Sequence, residues 1–361
     1  MQPAHSMAEE SSTTWNLSVA MTTMNAEKMS TTDANSKTSL SSNFEFYSTI
    51  AVVVVGFVGM VGNALVLYAL FASKQHKKLI LIVNQNALDL VSSFSLLLIY
   101  ILKLYNIYLS GTLGYWLCML IFSENFMWSG TNGATINLAA ITIDRYLKVV
   151  HPVWSRKWLR PWVIYLGVAF SWLAGIGYNT VVVFVTSIVI DGICYGYYNF
   201  VSDVQYRAYL GWYIASFYFV ILVIFTFCYG RILVAVRRQA RVMAAHSATG
   251  TSTAQTQAQA QAHHIQSNVI KTMVLVSAFY AITWGPANVY YVLALLNYPQ
   301  ELTANDSRYY ATLFVGFLYT SANPFIYATK FNPVRKVLKN LIFCRNQWVN
   351  KTFVKTKTDT F

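Results

Sequence analysis

The sequence predicts an all-α membrane protein: a bundle of seven transmembrane helices with a short amphipathic helix after the seventh. Three observations predict it. Of 361 residues, 56% are hydrophobic and only 11% charged, against about 25% charged in a soluble domain. The apolar residues gather into seven blocks, each at or above the ~20 residues that cross a bilayer as a helix. Basic residues concentrate in alternate connections between the blocks, which is the asymmetry that orients membrane proteins.

Taken in order, block 46–73 carries no charge, block 79–102 is interrupted only by Asp89, and block 118–143 only by Glu124. Blocks 161–190, 208–230, 272–300 and 309–329 contain no Asp, Glu, Lys or Arg. Lipid supplies no hydrogen bonds, so spanning segments must be helices or a closed barrel. Barrel strands alternate apolar and polar residues over about ten positions, and these blocks do not alternate. The bundle is expected over 46–330, with an amphipathic helix at 331–343 and a cytosolic tail at 344–361. The stretch 1–45 is rich in Ser, Thr, Met and Asn and lacks the apolar core of a signal peptide. It reads as a disordered extracellular tail, leaving the first helix to insert as its own anchor.

The net charge of +13 is unevenly placed. One set of connections holds Lys28, Lys37, Lys103, Arg207 and Arg308, and the other 21 of the 26 Lys and Arg residues lie opposite. Glu9, Glu10, Glu27, Asp33, Glu45, Asp191, Asp203, Glu301 and Asp306 share the first side, which is therefore expected outside the cell. The predicted location is the plasma membrane, N-terminus outside and C-terminus in the cytosol. The basic cytosolic face suits anionic lipids and protein partners. Nucleic acid is excluded as a partner, because the chain has no soluble basic domain to bind it.

Asn16 and Asn305 head glycosylation sequons on the outer side, whereas the sequon at Asn350 falls on the cytosolic side. Cys118 opens the third helix and Cys194 follows the fourth; both face the oxidising side and are expected to form a disulfide. Cys228 reads as a small buried residue. Cys344 is either a palmitoylation site or a plain free thiol. The run 255–264, rich in Gln and Ala and ending in two histidines, reads as a flexible linker rather than a metal site.

Polar side chains inside the membrane are functional candidates by default. Each helix carries one such signature: Asn63; Asp89; Asp144-Arg145-Tyr146; Trp172; Tyr229; Trp284-Gly-Pro286; and Asn323-Pro324-Phe-Ile-Tyr327. Taken singly each is weak, but their order across seven helices is not a coincidence. Over residues 46–343 the sequence resembles the rhodopsin-like (class A) G-protein-coupled receptors, and in particular their peptide-receptor type. The resemblance implies a receptor, not an enzyme, that binds an agonist outside and drives nucleotide exchange on a heterotrimeric G protein inside. It further implies that Asp144 holds Arg145 at rest, that Tyr229 and Tyr327 are its later partners, and that Pro286 kinks the sixth helix near Trp284 so that the half below can swing outward. Asn63, Asp89 and Asn323 would form a mid-membrane polar cluster; the plainer reading is a static set of interhelical bonds.

Several positions depart from the family. Ile221 stands where the fifth helix usually has proline, Tyr280 replaces a Phe, and Gln266 replaces an acidic partner for Arg145. Ala134 and Tyr319 replace side chains that commonly complete a sodium site at Asp89, so no cofactor is expected, with sodium at the remaining Asp89 as the alternative. Cys118 precedes Arg145 by 27 residues, two more than usual. Either the top of the third helix is irregular, or the disulfide attaches higher.

Met127 lies 18 residues above Arg145, ~27 Å at the helical rise, in the outer pocket. Amine receptors carry an Asp at that place, so a monoamine ligand is disfavoured. Phe317 occupies the place of the opsin Schiff-base lysine, which excludes a retinal photoreceptor. Glu124 either meets a basic group of the ligand, pairs with Lys103, or is simply exposed. Trp128, Trp212, Tyr213, Asn288, Tyr291 and Phe314 are further pocket candidates. Acidic outer loops favour a peptide ligand, one with basic groups among the options; a lipid or small molecule is the alternative.

After the seventh helix, Val334, Val337, Leu338 and Leu341 fall on one face, with Arg335, Lys336 and Lys339 toward lipid phosphates. Thr352, Thr356, Thr358 and Thr360 are candidate targets of receptor kinases that would recruit arrestin. Transporters show internal repeats, and none is visible. All six histidines lie outside the blocks, which leaves no His-based catalytic or metal site in the membrane. A non-signalling decoy of the same fold is the closest rival.

Overall fold

A computed structural model describes residues 46–248, 254–296, 307–331 and 334–341. Apart from the first turn of the first helix, everything described lies in the compact unit Ile50–Phe361. The seven expected long helices are present. They are α1 (Phe46–Ala72), α2 (Ile80–Leu104), α3 (Asn125–Val150) and α4 (Pro161–Thr186). Helix α5 runs from Asp203–Ile214 through a π-helical turn at Ala215–Phe219 into Val220–Ala248. Helices α6 (Ala254–Leu295) and α7 (Ser307–Lys330) follow, then α8 over 334–341.

Among the described residues, α1, α2, α4, α5 and α6 are long and apolar enough to cross a membrane by composition alone. The other two are more polar for a structural reason. Helix α3 is packed by α2, α4 and α5, and α7 by α6 and α2. Their polar residues, such as Asn132, Asn137, Thr320 and Asn323, are buried between helices. Large apolar side chains such as Phe57, Phe94, Leu173, Val223 and Ile282 point outward from the bundle, as lipid contact requires.

Close backbone approach sets the α2–α3–α4 packing. A Cβ on Gly175 would stand 2.5 Å from the Ser129 carbonyl oxygen and 2.9 Å from Gly133 Cα, and one on Gly130 would stand 2.3 Å from Ser92 Oγ. Small residues at such contacts are the usual device for joining helices in lipid.

The boundaries differ from expectation at four places. Helix α4 stops at Thr186, and residues expected to continue it form β1 (Ile188–Ile190), which pairs antiparallel with β2 (Ile193–Tyr195). The turn residues Asp191 and Gly192 both have positive φ, 50° and 78°, the backbone of a two-residue hairpin. The hairpin seats Cys194 against Cys118, and the two form a disulfide. Second, α3 begins only at Asn125, after a short helix at Gly111–Leu117 and a π-helical turn at Cys118–Phe122. The irregular-top alternative is the one found, and it accounts for the long spacing from Cys118 to Arg145. Third, the run 255–264 is not a linker but the start of α6, because Ala and Gln are good helix formers. Fourth, α5 extends well past 230.

Helix α8 buries Val334 fully and packs Val337 and Leu338 on the core, while Leu341 is exposed and does not join that face. The tails with Asn16 and Cys344, the loop with Asn305, and the sequence at Asn350 and beyond lie outside the described residues.

The glycine contacts generate a test. Gly175→Val should destabilise the bundle by about 1–3 kcal/mol through overpacking, read as a lower melting temperature of the purified protein. Gly167→Val, at a position with nothing within 4 Å of its Cβ, should be nearly neutral. Equal losses in both would contradict the packing account.

Candidate functional site

The polar signatures fall into three layers. At the inner end of α3, Asp144 Oδ2 lies 3.7 Å from Arg145 Nε and accepts from Lys148 Nζ at 2.9 Å. Asp144 is buried while Arg145 is partly so. Tyr229 of α5 meets Thr142 Oγ1 and Ser277 Oγ, each at 3.0 Å, and so ties α5 to α3 and α6. Tyr146 instead faces away, its hydroxyl 3.1 Å from His151 Nε2. Among the described residues no salt bridge joins α3 to α6; the Gln266 side chain lies outside them.

The middle layer is a continuous chain of hydrogen bonds across four helices. Trp172 Nε1 donates to Asn84 Oδ1 at 2.8 Å. Asn84 Nδ2 donates to Asn137 Oδ1 at 2.9 Å and to Ser171 Oγ at 3.0 Å. Asn137 Nδ2 donates to Gln85 Oε1 at 2.8 Å, and Gln85 Nε2 reaches Asp89 Oδ2 at 3.4 Å. Asn323 Nδ2 closes on Asp89 Oδ2 at 2.6 Å. Asn63 joins α1 to α7 by donating to the Thr320 carbonyl at 2.9 Å. It shares the region but donates to the Gly59 and Thr320 carbonyls rather than to Asp89.

The family implies sodium at Asp89, and these residues do not fit it. The groups aimed at the carboxylate are amide N–H donors of Gln85 and Asn323. Ala134 offers no oxygen, and Tyr319 turns its hydroxyl toward the Gln85 amide at 3.5 Å. Among the described residues no group of three His, Cys, Asp or Glu is placed to hold a metal.

In the outer layer, Glu124 stands at the break before α3 with φ 62°. Its carboxylate accepts from Lys103 Nζ at 2.6 Å and from Trp128 Nε1 at 3.1 Å. Lys103 also lies 4.4 Å over the Tyr100 ring. The Trp128 ring is 5.8 Å from Trp284 and 6.2 Å from Phe317. Met127 is wholly buried beneath them and Phe314 is partly buried on the same core. Asn288 and Tyr291 line a cavity of about 10 Å³ with Trp284, Asn132, Tyr213 and Tyr280. That is room for about one water molecule. Trp212 does not belong with them, since it is 64% exposed on the outside of the bundle.

The π-helical turn in α5 stands in for the missing proline. It frees the Phe217 carbonyl, which accepts from Tyr280 Oη, while Tyr218 Oη donates to the Ala281 carbonyl at 3.0 Å. These bonds tie α5 to α6 just below Trp284. Gln85, Asn137, Thr142, Ser277 and Asn132 were missed in the sequence. Asn84 and Gln85 were legible as polar residues five and four positions before Asp89. The rest look like ordinary polar helix residues until the helices are packed.

One pattern unites the layers. Twelve buried side-chain polar atoms among the described residues lack a hydrogen-bond partner, and Arg145 Nε, Trp284 Nε1, Asn323 Oδ1 and Tyr327 Oη are four of them. Native proteins leave few such groups, and each calls for an explanation.

These features define a seven-helix membrane receptor. Residues 62–327 match the family described as 7 transmembrane receptor (rhodopsin family), and the chain belongs to that family. It is therefore a multi-pass receptor and not an enzyme. It is similar to Melanopsin-A of Gadus morhua, 24% identical over 301 residues, covering 81% of this chain and 52% of that protein. It is also similar to somatostatin receptor type 3 of Rattus norvegicus, 25% identical over 296 residues, covering 77% of this chain and 64% of that protein. The chain thus spans about half to two thirds of the length of these relatives. The fold superposes on the crystal structure of squid rhodopsin with a TM-score of 0.68 at 20% identity, over 86% of this chain and 87% of that one.

The mid-membrane chain is testable by a double-mutant cycle. Asn84→Ala and Trp172→Phe should show a coupling energy of about 1 kcal/mol in thermal unfolding of the purified receptor, within the range for hydrogen bonds in membranes. Fully additive losses would mean that the two side chains do not support each other.

Proposed function

We propose that this receptor binds an extracellular peptide in its outer half and activates a heterotrimeric G protein at its inner face. The carrying observation is the set of unpartnered switch groups. Arg145, Trp284, Asn323 and Tyr327 sit on α3, α6 and α7, and each leaves a buried polar atom unsatisfied. A second arrangement of these helices that satisfies them would offset the work of rearrangement. Pro286 and Pro324 lie inside α6 and α7 and remove backbone bonds where bending is needed. Arg145 is tethered only loosely, because Asp144 is shared with Lys148.

The orientation follows from charge, with the basic face and the C-terminal tail in the cytosol. Arrestin and receptor kinases are further partners by way of the tail threonines, and Asn16 and Asn305 are sites for glycan. No cofactor is required. The peptide reading rests on the acidic outer face and on the absence of charge in the deep cavity, and the somatostatin receptors among the relatives agree with it. Melanopsins are also among the relatives, but the Lys of α7 is Lys330, the last residue of that helix, and Phe317 fills the place where a lysine would hold retinal.

Arg145→Ala should abolish nucleotide exchange across a panel of G proteins while ligand binding persists. Asp144→Asn should raise exchange in the absence of ligand. No exchange by the unaltered receptor with any agonist, ligand binding being retained, would make it a decoy. Peptide potency should fall about tenfold or more in both Lys103→Gln and Glu124→Gln, equivalent to roughly 1.4 kcal/mol. Unchanged potency in both would remove the pair from the ligand site.

A further inference from the structure

One cavity lies at the inner end of the bundle, away from the ligand pocket. It has a volume of about 480 Å³ and is lined by Lys148, Val149, Pro152, Ser155, Arg156, Leu159 and Gln239. It opens between the inner ends of α3 and α5 and the short helix Pro152–Trp158 that joins α3 to α4. Its charge is of one sign. From residue 145 to residue 190 the sequence contains no Asp or Glu, whereas Arg145, Lys148, Arg156, Lys157 and Arg160 fall within its first 16 positions. The nearest acid along the chain, Asp144, is already held by Lys148 at 2.9 Å.

The short helix and the first turn of α4 carry exposed indoles beside it, Trp154 and Trp158 on the first and Trp162 on the second. Trp154, Trp158 and Trp162 recur every four residues and are 49%, 54% and 59% exposed. Trp154 and Trp158 stack with ring centroids 6.2 Å apart, and Lys157 Nζ lies 5.6 Å over the Trp158 ring. Exposed indoles beside basic groups belong at the lipid headgroup level, where one end of the ring is wet and the other apolar. A helix so anchored holds its cationic groups at the depth of phosphate.

We propose that this cavity binds the headgroup of an anionic membrane phospholipid, with Arg156 facing the phosphate and the exposed rings of Trp154, Trp158 and Trp162 seated among the acyl-chain ends. Charge selects the occupant, since zwitterionic lipid brings no net negative charge to a pocket without acids. Each basic residue near an anionic surface adds about 1 kcal/mol of attraction. The site stands apart from the ligand pocket, and it does not depend on the proposed G-protein coupling.

The test uses the full-length receptor in nanodiscs of phosphatidylserine and phosphatidylcholine in equal parts, followed by native mass spectrometry of the retained lipids. The expected result is preferential retention of phosphatidylserine by the unaltered receptor. Arg156→Gln/Arg160→Gln should reduce that preference at least threefold, and Lys336→Gln/Lys339→Gln in α8 should leave it intact. All these positions are exposed, and an unchanged melting temperature would establish that the variants fold. Equal retention of the two lipids by the unaltered receptor would overturn the proposal. So would a preference that survives the loop variant but is lost in the α8 variant. Release of the retained phosphatidylserine by millimolar inorganic phosphate alone would assign the cavity to free phosphate and overturn the lipid reading.

Discussion

A carboxylate buried in the middle of a membrane protein, paired with no cationic side chain among the described residues, constrains everything packed around it. Asp89 is 1% exposed and takes part in none of the described salt bridges. Its partners are two amides, one from its own helix and one from α7. Such a group is expensive in hydrocarbon unless its surroundings supply hydrogen bonds. The surroundings must then be polar in turn, and Gln85, Asn137, Asn84 and Trp172 extend the demand to α3 and α4. Helix α3 can bring Asn137 to this chain because Gly130, Gly133 and Gly175 let the backbones meet.

The two π-helical turns serve the same economy of polar groups at the outer end. One lets α3 restart at Glu124, whose carboxylate then reaches both Lys103 and Trp128. The other opens α5 so that Tyr280 finds the Phe217 carbonyl. Both irregularities lie on the path between the outer pocket and Trp284, and π-turns of this kind are frequent at functional sites. The Lys103–Glu124 pair is thereby linked, through the Trp128 ring, to the side chain two residues before Pro286. Below it, the groups that would respond are those left without partners.

Much of this was legible in the sequence because lipid makes its rules plain. Five uncharged blocks and two interrupted by a single acid, with a polar signature in each, pointed to the bundle and the disulfide. What escaped were local events decided by packing. The Asp-Gly turn at 191–192 is a strong hairpin signal, yet the apolar stretch before it read as more helix. The run 255–264 read as a linker because low complexity was weighed above the helix propensity of Ala and Gln. Glu124 was open between ligand and Lys103, since sequence does not tell how far a broken helix displaces one side chain. Trp212 and Tyr213 are adjacent and both aromatic; only the phase of α5 separates the one facing lipid from the one bonded to Asn132 at 3.2 Å.

The central claim is that the unpartnered groups mark a resting state with a second arrangement available to it. Spin labels at Arg160→Cys on α4 and Lys271→Cys on lower α6 would report the distance across the inner face, since both positions are exposed. The account predicts that a nucleotide-free G protein from a purified panel shifts the distance outward by several ångströms, about one helical turn. The shift should be absent in Arg145→Ala. A distribution that stays unchanged with every G protein in the panel would contradict it.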